Sequence, residues 1–488
     1  MRPLSEAPMT GREDVLSWWG DTTGAEGAQI RIGPDGRLAG MLLGDAELLI
    51  EALGVRGIGE EPYRPDHVRV EVDEIETSGR CAGVDVRVRH NFDRHWQVRI
   101  GLTNPTDQPL PVDRLMLDVR PGPEGLLQVH AAGALAFLTF HRFGTPRCLA
   151  LRLTRGDLIA DEDGIGTPRL ELAPGGRYQL VLSGEWYAEP QAVRQRYPVW
   201  FPDSLDRVAA DRVDPLIDHP DTAVLIKGDH DDAPDLERLE VADARGVTWL
   251  DVAYADEERT FARLARHLAA AGALSTAAEG LIVLRAMPGH HLAHDEAAGL
   301  IEAYLDRPGD DSSPLRALLL VRAREWLVGT GGLTERAAAE LADLPPGPGV
   351  PLAWLHLWAS GQLVGHEPEI AAVVDRLSGA MTDQSLDPVT LAELRLMVSG
   401  GAPELRARLA RALREVDLMC TLTHGELWPR RSDADLARAV VVHSLLRPAQ
   451  GREMPDAHRC VRRLIARAPL APDGLEALAW LTLRAPTA

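Results

Sequence analysis

The chain has almost no lysine and few cysteines, and neither residue type forms a recognisable pattern. Lys227 is the only lysine among 52 basic residues, so arginine carries nearly all of the positive charge. The four cysteines, Cys81, Cys148, Cys420 and Cys460, show no C-x-x-C spacing. This scatter excludes the usual zinc frameworks and gives no disulfide pattern, so reduced thiols are expected.

Long apolar runs are also missing. No stretch approaches the roughly 20 apolar residues that a helix needs to span a bilayer. The opening residues 1–14 are polar and acidic, and they lack the apolar core of a signal peptide. We therefore expect a cytoplasmic protein without membrane insertion.

The charge is strongly negative and unevenly distributed. The net charge of −21 argues against binding to nucleic acid or to an anionic membrane, because both need a cationic surface. Residues 203–258 hold seventeen acidic and five basic residues, whereas residues 401–488 hold fourteen arginines and ten acidic residues. The basic C-terminal part could bind an acidic partner, or it could contact the acidic connector formed by residues 203–258. A solvent-exposed helix surface would also account for its charge.

Three common catalytic or cofactor signatures are missing from the sequence. It contains no G-x-S-x-G nucleophile elbow, no phosphate-binding P-loop and no dinucleotide fingerprint. We therefore predict no cofactor, and the sequence does not decide whether the protein is an enzyme.

The N-terminal part of the chain follows a period of two. Residues 67–73 and 84–89 alternate apolar and polar side chains, as strands with one buried face do. Turn sequences separate these runs from further strand candidates. The other candidates are 27–32, 38–43, 95–103, 114–119, 134–140, 147–153 and 177–187. About ten antiparallel strands with short loops predict a β-sandwich.

From about residue 260 the apolar period changes to 3.6, which predicts about twelve helices. A T-x-x-E capping box at Thr276 and Glu279 and a proline at position 314 mark two helix starts. The predicted helices are 260–272, 276–286, 294–306, 315–328, 335–343, 351–360, 367–378, 388–399, 402–416, 433–446, 456–468 and 473–484. Helices in antiparallel pairs can close into an α/α toroid or extend as an open solenoid.

The sequence thus predicts a β part followed by an α part. Residues 1–190 would form an antiparallel β-sandwich, residues 191–258 an acidic linker with a small β-module, and residues 259–488 an all-α domain of helical hairpins. The predicted class is a multidomain protein whose N-terminal sandwich precedes an α/α helical array.

The longest gap between predicted helices, at residues 423–431, has the composition of a binding loop. It holds His424, Glu426, Trp428, Arg430 and Arg431. Tryptophan supplies a flat apolar face for a sugar, glutamate an acid or base, and arginine a fork for oxyanions. We take Glu426 as the candidate catalytic residue and the other four as candidate substrate-binding residues. The alternative is an ordinary loop whose tryptophan fills the core.

A second candidate site lies at residues 287–296. His291 and His294 would be close on a helical turn and could hold a divalent metal with Asp295 or Glu296. The spacing matches no established zinc signature, so a polar helix start is the preferred interpretation.

Two short segments resemble turns that are common in the β-sandwich domains of one group of proteins, which is named below. They are LTNPTDQPL at residues 102–110 and LAPGGRY at residues 172–178. With the order of sandwich, linker and helices, the chain resembles carbohydrate-active proteins that join a mutarotase-like β-sandwich to an α/α toroid. This resemblance implies a glycan ligand and a pair of carboxylates, with Glu426 as the acid and Glu302, Asp306 or Glu325 as equivalent candidates for its partner. A noncatalytic relative fits the resemblance equally well.

Two hypotheses about function follow. We slightly favour a protein-interaction or scaffold module, since the helices are short, the loops are terse and no catalytic signature is present. The alternative is a carbohydrate-binding or carbohydrate-processing enzyme, similar to a glycoside hydrolase, with its site at the 423–431 loop.

Overall fold

The structure is a computed structural model of the chain. It describes residues 14–18, 28–33, 35–43, 47–71, 73–92, 95–123, 125–142, 147–208, 216–230, 233–289, 291–307, 312–324, 326–327, 332–360, 367–381, 386–397, 403–422, 424–446, 455–467 and 472–484.

Strands dominate the described residues up to Ala255. They are β1 (Asp14–Trp18), β2 (Ala28–Ile32), β3 (Leu38–Leu43), β4 (Glu47–Ile58), β5 (Glu61–Pro62), β6 (His67–Val70), β7 (Glu74–Cys81), β8 (Val84–Phe92), β9 (Trp96–Thr103), β10 (Leu110–Val112), β11 (Leu115–Pro121), β12 (Gly125–Gly133), β13 (Leu135–Arg142), β14 (Cys148–Arg155), β15 (Leu158–Asp161), β16 (Gly164–Gly166), β17 (Leu170–Leu172), β18 (Arg177–Tyr187), β19 (Asp206–Val208), β20 (Ala223–His230), β21 (Ala233–Asp243) and β22 (Gly246–Ala255). One short helix, α1 (Pro190–Arg194), interrupts them.

The strands pair mainly as antiparallel neighbours in one large sheet. One side of it runs β1-β2-β3-β4-β11, and the other runs β12-β13-β14-β18-β9-β8-β7-β6. The short strands β15 and β16 connect β11 to β12. The inward side chains of both sides share one apolar core, which includes Leu53, Val86, Trp96 and Leu138. The predicted N-terminal antiparallel sandwich is confirmed as a large sheet that encloses its own core.

Three long strands were missing from the prediction, namely β4, β7 and β12. Their sequences do not alternate cleanly between apolar and polar residues. In β12, Leu127 and Val129 face the sandwich core, whereas Leu126 on the opposite face belongs to the core of the helical part. A strand covered on both faces needs no polar face, so it gives no period of two.

The helical part begins at Glu257, next to the predicted change of period near residue 258. Its helices are α2 (Glu257–Ala271), α3 (Ala277–Ala286), α4 (His294–Leu305), α5 (Pro314–Ala323), α6 (Leu333–Asp343), α7 (Val350–Ala359), α8 (Glu367–Ala380), α9 (Pro388–Met397), α10 (Pro403–Thr421), α11 (Asp433–Leu446), α12 (Pro455–Arg467) and α13 (Pro472–Leu481). Each predicted helix has its counterpart, and the order of β part and α part is confirmed. The capping box forms as expected, with Thr276 accepting from the Glu279 amide at 3.3 Å.

Alternate helices of this part contact one another in sequence. α3 packs against α5, α5 against α7, α7 against α9, α9 against α11 and α11 against α13, and α13 packs back against α3. None of the described helices combines the length and the apolar character needed to cross a membrane.

The acidic connector packs against both parts. β20, β21 and β22 form an antiparallel meander, and Thr248 of β22 bridges to Gly133 of β12. Helix α12, from the arginine-rich C-terminal region, packs on β19, β21 and β22. Helix α12 of the basic C-terminal region therefore lies against the connector, which is one of the three interpretations given for that region. The division into domains at residues 190 and 258 stays a prediction.

Candidate functional site

The predicted binding loop contains a short strand, β23 (Glu426–Trp428), that joins the sheet of the N-terminal part. It pairs antiparallel with β12 in the register Glu426↔Val129, Leu427↔Gln128 and Trp428↔Leu127. The helical part thus contributes one strand to the sandwich sheet, and the candidate residues on that strand have fixed positions.

Gly425 allows this strand to approach β12 closely. Its φ is +72°, a left-handed conformation that costs other residues about 1–2 kcal/mol. A Cβ atom at this position would lie 2.3 Å from the carbonyl oxygen of Val129. Only glycine fits here without displacing one of the two strands.

Glu426 is surrounded by arginines. Its Oε1 accepts a hydrogen bond from Arg467 Nη2 at 2.5 Å, and its Oε2 lies 2.9 Å from Arg430 Nε. Arg463 donates to the carbonyl oxygen of Gly425 at 3.5 Å. Burial on its own would raise the pKa of Glu426, but Arg467, Arg430 and Arg463 together lower it to about 2. The carboxylate is therefore ionised at any physiological pH.

A small cleft that is open to solvent lies between β23 and helices α10, α11 and α12. Its charged lining consists of Glu426, Arg430, Arg431, Asp433, Arg463 and Arg467. Arg431 also pairs with Glu415, which is buried in α10, and this fixes the far side of the loop. The cleft has two more arginines than carboxylates, in a chain whose net charge is −21.

His424 lies outside the cleft, in an aromatic cluster between the two parts of the chain. It is 2% exposed, and its ring lies 4.8 Å from that of Phe201 and 5.5 Å from that of Tyr197, centroid to centroid. Its Nε2 is 3.1 Å from the carbonyl oxygen of Pro202. This position does not favour direct contact with a ligand, so the predicted binding role of His424 is unsupported.

Trp428 is also not among the residues that line the cleft. Its half-buried side chain packs against the core of the sandwich, on the same face of the sheet as Leu127. This position corresponds to the alternative in which the tryptophan of the loop fills a core. Of the five predicted residues, the structure therefore brings Glu426, Arg430 and Arg431 together in one cleft, and their functional roles stay predictions.

The proposed metal site is incomplete in the structure. His291 Nε2 lies 3.2 Å from Glu258 Oε1, and His294 begins helix α4 with an exposed side chain. Among the described residues, no group of three His, Cys, Asp or Glu side chains could hold a metal ion. His291 and His294 therefore gain no support as metal ligands. Of the candidate partners of Glu426, Glu302 and Asp306 do not line the cleft, and Glu325 lies outside the described residues.

Sequence reasoning missed Arg463 and Arg467, which come from α12, more than thirty residues after the loop. The two arginines are spaced i, i+4, so they lie on one face of the helix. That spacing was visible in the sequence, but only the packing of α12 beside β23 connects it to Glu426.

Comparisons with known proteins give a fold but no family. No family model matches the chain, and no curated protein matches its sequence. One similar solved structure is described as a polysaccharide lyase, with a TM-score of 0.54 and 10% sequence identity over 91% of this chain and 93% of that chain. At this identity the likeness shows a shared fold. It agrees with the resemblance to carbohydrate-active proteins, while the mutarotase-like character of the sandwich stays a prediction.

Proposed function

We propose that this protein binds acidic saccharides in the arginine-rich cleft beside β23. The single observation that carries the proposal is the convergence of Arg430, Arg431, Arg463 and Arg467 on one open cleft. The planar guanidinium group binds carboxylates with two parallel hydrogen bonds, which gives both strength and orientation. The solved structure of similar fold is itself a carbohydrate-active protein, a polysaccharide lyase.

The charge of the cleft favours an anionic sugar over a neutral one. Glu426 occupies one donor of Arg467 and one of Arg430, and each guanidinium group has five N–H donors. A sugar carboxylate could therefore bind alongside Glu426. The four arginines of the cleft would balance part of its charge, and the cleft would be a local attractor for anions on an acidic protein.

Glu426 takes the role of a binding residue in this proposal. A carboxyl group with a pKa of about 2 is ionised at neutral pH, so it has no proton to donate to a leaving group. Its ionised oxygens instead hold the guanidinium groups of Arg430 and Arg467 in place and can accept hydrogen bonds from sugar hydroxyls. This assignment replaces the general acid that the resemblance implied.

We also propose that the helical part is an α/α toroid and not an open solenoid. The cyclic order of contacts, in which α13 returns to α3, supports a closed ring. Within the described residues no contact favours the scaffold hypothesis, so it stays without a supporting observation.

The test is calorimetric titration with oligosaccharides of equal length that either contain or lack uronic acid units. We expect acidic oligosaccharides to bind at least tenfold more tightly, and more weakly at high salt. Arg463→Gln should weaken binding about 10- to 100-fold, as expected for the loss of a charged hydrogen bond. Arg259→Gln, which removes the same charge from an exposed position on α2, is the control and should change affinity less than twofold.

Equal affinity for both oligosaccharides, or an unchanged affinity in Arg463→Gln, would overturn the proposal. Release of reducing ends in the same samples would show whether binding leads to cleavage. In that case Glu426→Gln distinguishes a proton donor from a binding residue. If Glu426 donates a proton, the variant should lose all cleavage. If Glu426 only binds, cleavage should remain measurable.

A further inference from the structure

A second group of polar side chains lies between the two parts of the chain, on the helix-facing side of β12. We call it the histidine seam, and it consists of His424 together with Gln128, His130 and His141. Gln128 Nε2 donates to the carbonyl oxygen of His424 at 2.6 Å, and Gln128 Oε1 lies 2.9 Å from His141 Nε2. The seam therefore fixes His424, which lies two residues before the start of β23.

The two central histidines are buried together. His130 is 7% exposed and His424 is 2% exposed, and their ring centroids are 6.3 Å apart. The ring of Phe201 contacts both, at 5.5 Å from His130 and 4.8 Å from His424. Among the described residues, the Nε2 atom of His130 has no hydrogen-bond partner. An imidazolium at this position would bury a charge beside another histidine without an acceptor.

The charged groups facing the seam are mostly cations. Arg194 at the end of α1 and Arg463 on α12 act on His424, and Arg463 also acts on His130. Arg414 on α10 acts on His141. The nearby carboxylates are already paired, Asp203 with Arg194 at 2.6 Å and Glu426 with Arg467 at 2.5 Å. Tyr197 is neutral, because burial raises the pKa of its hydroxyl group.

We propose that the histidine seam is an acid-sensitive latch, which releases β23 from β12 when His130 and His424 become protonated. Release would separate the loop that carries Glu426 from the sandwich sheet. The inference rests on the buried histidine pair and its cationic surroundings, and it does not depend on the identity of the ligand in the cleft.

The sign of the effect follows from the direction of both shifts. Burial, with the neighbouring His130 and the arginines, lowers the pKa of His424 from 6.5 to about 3, and burial with Arg463 lowers that of His130 to about 4. Such a group stabilises the closed seam above its ordinary pKa, and this stability is lost as the pH falls below 6.5 towards the folded value. The Nε2–H of His141 can donate to Gln128 in either protonation state, so this hydrogen bond survives acidification.

The size of the effect can be stated as a change in the opening equilibrium. If an opened histidine regains its ordinary pKa, each of the two should favour opening about 30-fold at pH 5 relative to pH 7.5. Hydrogen–deuterium exchange measures this equilibrium at individual segments, once exchange times are corrected for the intrinsic effect of pH.

The experiment compares exchange of β23 and β12 with that of β8 and β9 at pH 7.5 and pH 5. β8 contains His90, which is also buried, with a pKa lowered to about 4 by burial, but which lies within the sandwich core against Phe92 and Trp96. We expect protection at β23 to fall at least about 30-fold at pH 5 while β8 and β9 stay protected. Loss of protection in all four strands together would indicate global acid unfolding and would overturn the proposal.

The double variant His130→Phe with His424→Gln tests the residues directly. Phenylalanine keeps the ring contacts and glutamine keeps a donor for Pro202, and neither titrates. We expect the dependence of β23 exchange on pH to weaken at least about 30-fold in this variant and to persist in His267→Gln, which changes an exposed histidine on α2. An unchanged dependence in the double variant would refute the latch. If the double variant does not fold, the comparison of β23 with β8 and β9 in the unmodified protein decides.

Discussion

Two glutamates of the helical part are paired with arginine, yet their pKa values shift in opposite directions. Glu393 on α9 is fully buried, and its Oε1 lies 2.5 Å from Nη1 of Arg438 on α11, which is 2% exposed. Burial outweighs Arg438 and raises the pKa of Glu393 to about 7. Glu426 has three arginines within reach and 30% of its side chain exposed, and its pKa is about 2.

The difference shows what distinguishes a structural ion pair from a recognition site. Glu393 is satisfied by Arg438 and by the amide of Gly349 at 3.0 Å, at the start of α7 and between α9 and α11, where both side chains are closed off from solvent. Around Glu426 the arginines outnumber the carboxylates and face an open cleft. An anionic ligand can compete for these arginines, whereas no ligand can reach Arg438.

The largest loss of stability is expected when the buried ion pair of Glu393 and Arg438 is broken. Arg438→Met should lower the free energy of unfolding by about 3–5 kcal/mol, because Glu393 is left buried without its cation. The loss should be greater at pH 8 than at pH 6, since a carboxyl group with a raised pKa can avoid the cost by binding a proton at the lower pH. Denaturant unfolding at both values measures it.

The matched double variant adds Glu393→Gln to Arg438→Met and removes the orphaned charge. It should recover at least half of the loss and show little dependence on pH in this range. If Arg438→Met alone lowers the free energy of unfolding by less than about 1 kcal/mol, Glu393 and Arg438 do not form a buried ion pair.

A smaller loss of stability is expected when β23 is displaced from β12, because this strand carries Glu426 and its arginine contacts. Gly425→Ala should cost about 3 kcal/mol, because the left-handed backbone conformation and the contact with Val129 both oppose a Cβ atom. Gly272→Ala is the control, since Gly272 has almost the same φ, +73°, and a Cβ atom added there would meet no other atom within 4 Å.

For Gly272→Ala we expect only the backbone cost of about 1 kcal/mol. Thermal or denaturant unfolding of both variants provides the comparison. Equal losses in the two variants would show that the close approach of β23 to β12 contributes nothing.

The smallest effect is expected at an arginine–carboxylate pair on the surface. Arg238 and Asp251 face each other across β21 and β22 with two hydrogen bonds, of 2.7 and 2.8 Å, and both side chains are 45% exposed. Arg238→Met should change the free energy of unfolding by less than about 1 kcal/mol, because solvent already screens this pair. A larger loss would mean that burial does not explain the difference between this exposed pair and the buried pair of Arg438 and Glu393.

Much of the fold could be predicted from the sequence, because local pattern determines most of it. The alternation in β8 and the capping box at Thr276 report structure that neighbouring residues fix among themselves. β12 escaped prediction because both of its faces are covered, so its sequence carries no polar stripe. Its importance arises from contacts with residues far away in the chain.

The site was predictable only in part, for the same reason. The composition of the loop indicated Glu426, Arg430 and Arg431, which the structure places in one cleft. It also suggested that Trp428 and His424 would meet a ligand, but pairing with β12 turns Trp428 into the sandwich core, and the aromatic cluster buries His424. Tertiary packing alone brings Arg463 and Arg467 to the cleft, and no local pattern contains that information.

The two-sided burial of β12 restricts how this region can change in evolution or by engineering. Successive side chains of a strand point to opposite faces, so one inserted residue would exchange the surroundings of every residue beyond it. Leu127 and Val129 would turn towards the helices, and Gln128 and His130 would turn into an apolar interior. Both parts of the chain would be damaged by the same insertion, so this strand can accept substitutions but not a change of length.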